Sequence, residues 1–263
     1  MKKRVFLRDL QNSKGGEKIV MITAYDALFA SLFDPHVDAI LVGDSLNMSF
    51  AGKPDTLSAT MDQMIYHTQA VCQGAKESYI ICDMPFGSYT NCDEALKNAT
   101  RVYQETEADA VKLEGGRYRA DIIKHLTQNE IAVIGHIGLK PQSARSEGGY
   151  YVKGKTQEEK ESLLEDALSI QDAGAVALVI EGVKPDIAEE ITNKLTIPTI
   201  GIGAGAETDG QVLVWSDMLG FFDTFVPKFV KHYMSGSKEV QEAVKQYAKE
   251  VKNSSFPEPK HTY

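Results

Sequence analysis

Several side chains at the ends of apolar runs are of types that carry acid–base and ligand chemistry. They are Asp44 with Ser45, Asp83, Lys112 with Glu114, His136 and Glu181. A single carboxylate after an apolar run is ordinarily a helix cap or a solvated turn residue. Four of them, each closing a different run, would repel one another if those ends converge, unless something positive lies between them. A divalent cation meets that need. Hard oxygen ligands with few His or Cys point to Mg²⁺ or Mn²⁺ rather than zinc. Mg²⁺ takes one or two protein carboxylates, with water and substrate completing its shell, which leaves at least one carboxylate free as a base.

Lys112 and Glu114 alternate along AVKLEG, so in a strand they share one face. A lysine on an apolar interior needs a carboxylate or an anionic substrate as its partner. An ion network that only holds the strand ends together is the alternative. His136 in GHIGL reads equally as a donor to substrate or as a satisfied structural histidine, and His67 as structural. The turn GIGAG (201–205) lacks the full GxGxxG spacing and reads as a tight turn rather than a phosphate cradle. No GxSxG elbow is present, and Cys82 alternates to the side opposite Asp83.

Elements must bring these residues together. The runs are KIVMITA (18–24), AILVGD (39–44), YIICDM (79–84), AVKLEG (110–115), IAVIGHI (131–137), ALVIEG (177–182), PTIGIGA (198–204) and QVLVW (211–215). They are continuously apolar, as strands of a parallel sheet buried on both faces are. Helical segments are expected at Ala27–Phe33, Met61–Ala75, Asp93–Glu105, Arg119–Gln128, Glu158–Ala173 and Asp186–Lys194. Thr60 and Thr156 are placed as N-caps, Glu159 completing a capping-box pattern. Pro185 suits a first turn, and Gly74 and Gly174 suit helix stops. This alternation predicts a parallel α/β fold. Polar residues end many different strands, which favours a closed (β/α)₈ TIM barrel over an open doubly wound sheet with one switch point. The longer connections Ser45–Thr60 and Gly138–Thr156 are candidate lids or binding loops.

The 263 residues fit a single barrel domain over 1–263, with an N-terminal segment at 1–17 and a tail at 253–263. Twenty-eight basic against 37 acidic residues give a net charge of −9, which argues against a nucleic-acid partner or a polybasic membrane face. No run of about 18 apolar residues exists, and Arg8 and Asp9 interrupt any leader-like stretch. A soluble, cytoplasmic protein is expected. Cys72, Cys82 and Cys92 form neither a CxxC nor an even set and read as reduced packing residues.

Taken in order, MITAYD (21–26), LVGDSL (41–46), YHT (66–68), DMPF (83–86), VKLEGG (111–116), GHIGLKPQS (135–143), GIGAG (201–205), TDGQ (208–211) and PKF (227–229) closely resemble the ketopantoate hydroxymethyltransferase family. The resemblance covers nearly the whole chain. It implies a barrel of the phosphoenolpyruvate/pyruvate type. The implied reaction moves a hydroxymethyl group from 5,10-methylenetetrahydrofolate to 3-methyl-2-oxobutanoate through a Mg²⁺-stabilised enolate, giving 2-dehydropantoate for pantothenate synthesis. It also implies a homo-oligomer, commonly a decamer. Carried over by motif, Asp44, Asp83 and Glu114 would be metal ligands. Asp44, Ser45, Asp83 and Lys112 would bind substrate, and Glu181 would be the proton acceptor. Asn47 and Glu147 depart from the family pattern, which has Gly or Ala at the first position in many relatives and an aromatic residue at the second. A Mg²⁺-dependent lyase or mutase on the same barrel is the rival reading, but neither long connection carries the Cys it would need. A non-catalytic barrel is the other.

Overall fold

Continuous burial on both faces is what a barrel strand requires, and seven of the eight runs form strands buried at most or all of their positions. The structure, a computed structural model, describes residues 3–222 and 226–263; Met1 and Lys2 of the N-terminal segment and residues 223–225 lie outside the described residues. The strands are β1 (Ile19–Thr23), β2 (Ala39–Val42), β3 (Tyr79–Asp83), β4 (Ala110–Glu114), β5 (Val133–Gly138), β6 (Ala177–Glu181), β7 (Thr199–Ile202) and β8 (Gly210–Leu213). Each pairs in parallel with the next, and β8 returns to β1 with Ile19 opposite Gly210 and Ile22 opposite Leu213. The ring is closed, so the open-sheet alternative does not apply.

Helices Ala27–Phe33, Met61–Gly74, Cys92–Glu105, Ala120–Gln128, Gln157–Asp172 and Pro185–Lys194 form the crossovers. Thr60 caps its helix as expected, accepting from Gln63 N–H while the Gln63 side chain accepts from Thr60 N–H. Thr156 accepts from Glu159 N–H, but the Glu159 carboxylate takes Lys155 N–H instead of closing the box. Gly74 is the last residue of its helix, and its lack of a side chain has a packing reason. A Cβ there would stand 2.1 Å from the Ala27 carbonyl oxygen, so glycine lets two crossover helices meet.

Inside the ring one parity of side chains continues along each strand. Tyr79 and Ile81 of β3, Ala110 of β4, Ile134 of β5, and Ala177 and Val179 of β6 belong to a single apolar core. Two residues further on in each strand, the same parity brings up Asp83, Lys112, His136 and Glu181. The barrel interior therefore changes from hydrocarbon to charge toward its C-terminal mouth. Val5 and Leu10 of the N-terminal segment join the core from the other end. There Asp209 accepts from Gly15 N–H (2.9 Å), Lys14 Nζ (2.9 Å), Thr199 N–H (2.8 Å) and Thr199 Oγ1 (3.0 Å).

The chain divides into two compact units, residues 1–214 with the barrel and residues 215–263. The expected domain over 1–263 is thus a barrel unit and a C-terminal unit. The second contains the short helix Trp215–Met218, the 17-residue helix Gly236–Lys252 and a 3₁₀ turn at Pro259–His261 within the expected tail. The helix Gly236–Lys252 was not among the expected elements. Among the described residues no helix is long and apolar enough to cross a membrane.

Candidate active site

Asp83, Lys112, Glu114, His136 and Glu181 arise from four adjacent strands, and Asp44 follows β2 by two residues. Register places them side by side: Asp83 lies opposite Lys112, Glu114 opposite His136, and Gly138 opposite Glu181. All but Glu181 are almost fully buried. The site residues expected from the sequence are therefore brought to one mouth, and Lys112 and Glu114 share the inward face.

Lys112 is the hub. Its Nζ stands 2.9 Å from Asp83 Oδ1 and donates to His136 Nδ1 at 3.1 Å. Burial alone would discharge this ammonium, but the Asp83, Glu114 and Asp44 carboxylates outweigh it and hold the lysine above its ordinary range. An ammonium can only donate, so His136 accepts at Nδ1 and carries its proton on Nε2. Burial and the nearby lysine charge push its pKa well below the ordinary value, so the ring stays neutral. Nε2 faces Glu181 Oε2 across 3.3 Å, without hydrogen-bond alignment. Glu181 is raised to about 7 by burial, with Lys112 pulling the other way. A carboxylate poised there can both hold and release a proton near neutrality.

Asp44 donates its backbone N–H to Asp83 Oδ2 at 3.0 Å. This close approach uses Gly43, where a Cβ would meet the Ser45 hydroxyl at 2.9 Å and Asp83 Oδ2 at 3.5 Å. Burial and the Asp83 charge raise Asp44 to about 7. Glu114 is also pushed well up by burial, against the pull of Lys112. The Ser45 hydroxyl is bonded to the Tyr25 phenol at 2.9 Å. His67 holds the same tyrosine's carbonyl oxygen through Nδ1 at 2.6 Å, in keeping with a structural role.

Two residues without an assigned role in the sequence reading complete the cluster. Gln142, in the Gly138–Thr156 connection, bonds Asp44, Glu114 and the Met84 carbonyl. Tyr89 bonds Gln142 and the backbone of Glu114. Gln142 was visible only as a letter in GHIGLKPQS; its partner Asp44 lies 98 residues away.

The two long connections are tied to each other and to the barrel. Arg145 reaches Asp55 at 2.7 Å, and Glu147 pairs with Lys140 at 3.2 Å and with Lys153. Those lysines hold the Glu147 carboxyl below its usual range, although partial burial opposes them. Asn47 is buried and donates to Asp55 O at 2.7 Å and Ser58 Oγ at 3.0 Å, which fixes the first connection upon itself. The two departures from the family pattern thus act within the connections, away from the carboxylate cluster.

Among the described residues no three His, Cys, Asp or Glu side chains form a ready cage for a metal ion. The donor set nevertheless fits a hard cation held by few protein ligands. Asp44, Asp83, Glu114 and Glu181 crowd one buried mouth against the ammonium of Lys112, and His136 adds no charge. All the acidic donors are oxygen, the chemistry that Mg²⁺ prefers.

A closed parallel barrel with carboxylates, a lysine and a neutral histidine gathered at the C-terminal ends of its strands defines a barrel enzyme. Its fold matches that of phosphonopyruvate hydrolase (TM-score 0.63, 13% identity, covering 99% of this chain and 93% of that one). It also matches 2,3-dimethylmalate lyase, a member of the PEP mutase/isocitrate lyase superfamily (TM-score 0.62, 14% identity, 97% and 90%). The family model for ketopantoate hydroxymethyltransferase matches residues 4–259. A 3-methyl-2-oxobutanoate hydroxymethyltransferase of Aliarcobacter butzleri is 63% identical over 254 residues, 97% of this chain and 94% of that protein. Those of Sulfurimonas denitrificans and Helicobacter pylori are 62% identical over 263 residues (all of both chains) and 58% identical over 261 residues (99% and 97%). The chain belongs to the ketopantoate hydroxymethyltransferase family and is a transferase.

Proposed function

We propose that the protein moves a hydroxymethyl group from 5,10-methylenetetrahydrofolate to 3-methyl-2-oxobutanoate, giving 2-dehydropantoate in pantothenate synthesis. The observation that carries this reading is the placement of Glu181. It is a carboxylate raised to about 7, at a mouth whose other acids surround Lys112. Relatives of about 60% identity named for this reaction support it.

Mg²⁺ would be held by Asp44 and Asp83 with Glu114 beside them, and when bound it would polarise the 2-oxo group and offset charge on the enolate. The protein's own groups do the rest. Lys112 and the Ser45 hydroxyl bind the carboxylate end of the oxo acid, Asp44 and Asp83 contact it on the side where they would hold the cation, and together they turn its C3 toward Glu181. Glu181, ionised, takes the C3 proton. Lys112 offsets the negative charge that develops. A bond forms between the enolate carbon and the one-carbon unit of the folate; both carbon–nitrogen bonds of that unit break, water supplies the hydroxyl oxygen, and tetrahydrofolate leaves with its two nitrogens protonated by the C3 proton that Glu181 took and by the second proton of the water. His136, neutral with its proton on Nε2, confronts Glu181 with a donor instead of a second charge. The reading carries with it a cytoplasmic location and a homo-oligomer, a decamer by family resemblance.

The test is C3 deuterium exchange of 3-methyl-2-oxobutanoate in D₂O, followed by NMR with and without Mg²⁺ and tetrahydrofolate. Exchange that depends on Mg²⁺ and disappears in Glu181→Gln is expected. Exchange at the wild-type rate in that variant sinks the base assignment, and no exchange by the wild type under any condition sinks the enolate route.

A further inference from the structure

Gln142 lies in the 3₁₀ turn Pro141–Ser143, 7% exposed, and is held from all sides. Its backbone N–H donates to Glu114 Oε2 at 3.1 Å. Its side-chain Nε2 donates to Asp44 Oδ2 at 2.8 Å and to the Met84 carbonyl at 3.0 Å. Its Oε1 accepts from the Tyr89 hydroxyl. That hydroxyl also accepts the Glu114 N–H at 3.3 Å, so its own proton is free to go to the glutamine. The two ends of an amide differ in nothing but hydrogen bonding, and here the network decides between them. With Oε1 turned to a donor, Nε2 must face Asp44.

One residue therefore grips two carboxylates, one just after β2 and one at the end of β4. Buried like charges at close quarters turn apart or protonate unless a donor holds each one. A cationic side chain in this place would compete with any metal for the same oxygens. A neutral amide does not, and it fixes the plane of Asp44 while its backbone fixes Glu114.

We propose that Gln142 is the positioning residue of the site, setting Asp44 and Glu114 in the orientation that receives a divalent cation and the 2-oxo acid. The proposal rests on the reading of the mouth given under Proposed function. Gln142 touches none of the reacting atoms in that reading; it acts through the carboxylates. It sits in the connection after β5, so that connection is bonded to both carboxylates through this one residue.

The experiment measures Mn²⁺ binding to the full chain by calorimetry and by electron paramagnetic resonance, with oxo-acid KM and kcat alongside. Gln142→Leu keeps the volume and removes the amide. It is expected to weaken Mn²⁺ by about 10–100-fold, as loss of a partner behind a metal ligand does, and to raise KM more than it lowers kcat. Arg145→Ala cuts the Asp55 tie of the same connection without touching Asp44 or Glu114 and should keep Mn²⁺ affinity within about twofold, since a pair with one solvent-exposed partner contributes little. Mn²⁺ affinity and KM unchanged in Gln142→Leu overturn the proposal, and so does an equal loss in Arg145→Ala. If Gln142→Leu does not fold, Tyr89→Phe removes the hydroxyl that orients the amide. Several-fold weaker Mn²⁺ is then expected, and unchanged affinity overturns the proposal. A wild type that binds no Mn²⁺ overturns the reading beneath the proposal, and the proposal with it.

Discussion

Replacing Lys112 with methionine keeps a flexible chain of similar volume and deletes the ammonium buried against Asp83. Lys112 and Asp83 are 5% and 4% exposed and 2.9 Å apart. At an effective dielectric of about 20, two unit charges at that separation attract by about 6 kcal/mol, most of it offset by desolvation. Removing one member of a buried pair strands the other, at a cost of about 3–5 kcal/mol. For a unit of this size that corresponds to a fall in Tm of about 6–20 °C at neutral pH. The sign of the pH dependence follows from the carboxylates left behind. Asp44 and Glu114 already sit above their ordinary range, and without Lys112 they rise further. An acid whose folded pKa exceeds its unfolded one binds more protons when folded, so lowering the pH stabilises the fold. The gap between wild type and Lys112→Met should therefore narrow from pH 7.5 to pH 5.5. The assay is urea unfolding at both values with a chelator present. A loss below about 1 kcal/mol at pH 7.5, or a gap that does not shrink on acidification, would refute the picture of the Lys112 ammonium balancing the mouth.

Two further outcomes are expected. Glu181 must be ionised to take a proton, so kcat/KM should rise with pH through about 7; a profile flat from pH 5.5 to 8.5 would contradict the assignment. Asp209 is held below its ordinary range by Gly15 N–H and Lys14, although burial opposes them, so its contribution is present above the unfolded value of about 3.9 and lost as pH falls through the folded one. Asp209→Asn should cost about 2–4 kcal/mol at pH 7 and remove that acid limb from the stability profile, as equilibrium unfolding at several pH values will read.

The barrel was legible because its signal is redundant. A strand buried on both faces writes its position as an unbroken apolar run, and eight such runs bound every crossover helix to within a residue or so. The helix Gly236–Lys252 follows the last strand, so the alternation that located the others stops short of it. Its Val240, Val244, Tyr247 and Val251 do stand at helical spacing and could have marked it. The carboxylates and Lys112 were legible for a related reason: each ends a run, and a barrel sends every run to the same mouth. Gln142 and Tyr89 were not, because they sit in connections with no period to read, and their partners lie 98 and 53 residues away. The ambiguity over His136 also has a physical origin. Its role depends on which nitrogen faces Lys112, and that is set by the orientation of the ring in the folded site.

The parallel contact between the first strand and the last has a consequence for the chain as it is made. Ile19 pairs with Gly210, 191 residues later (210 − 19). At about 5–20 residues per second on the ribosome, the first strand waits about 10–40 s for its partner to be synthesised. Through that interval its backbone donors and acceptors form an open edge, the kind that recruits strands from other chains. The newborn protein is exposed to aggregation from its first strand for almost the whole of translation, and chaperone demand should track the rate at which β8 emerges more closely than the stability of the finished ring.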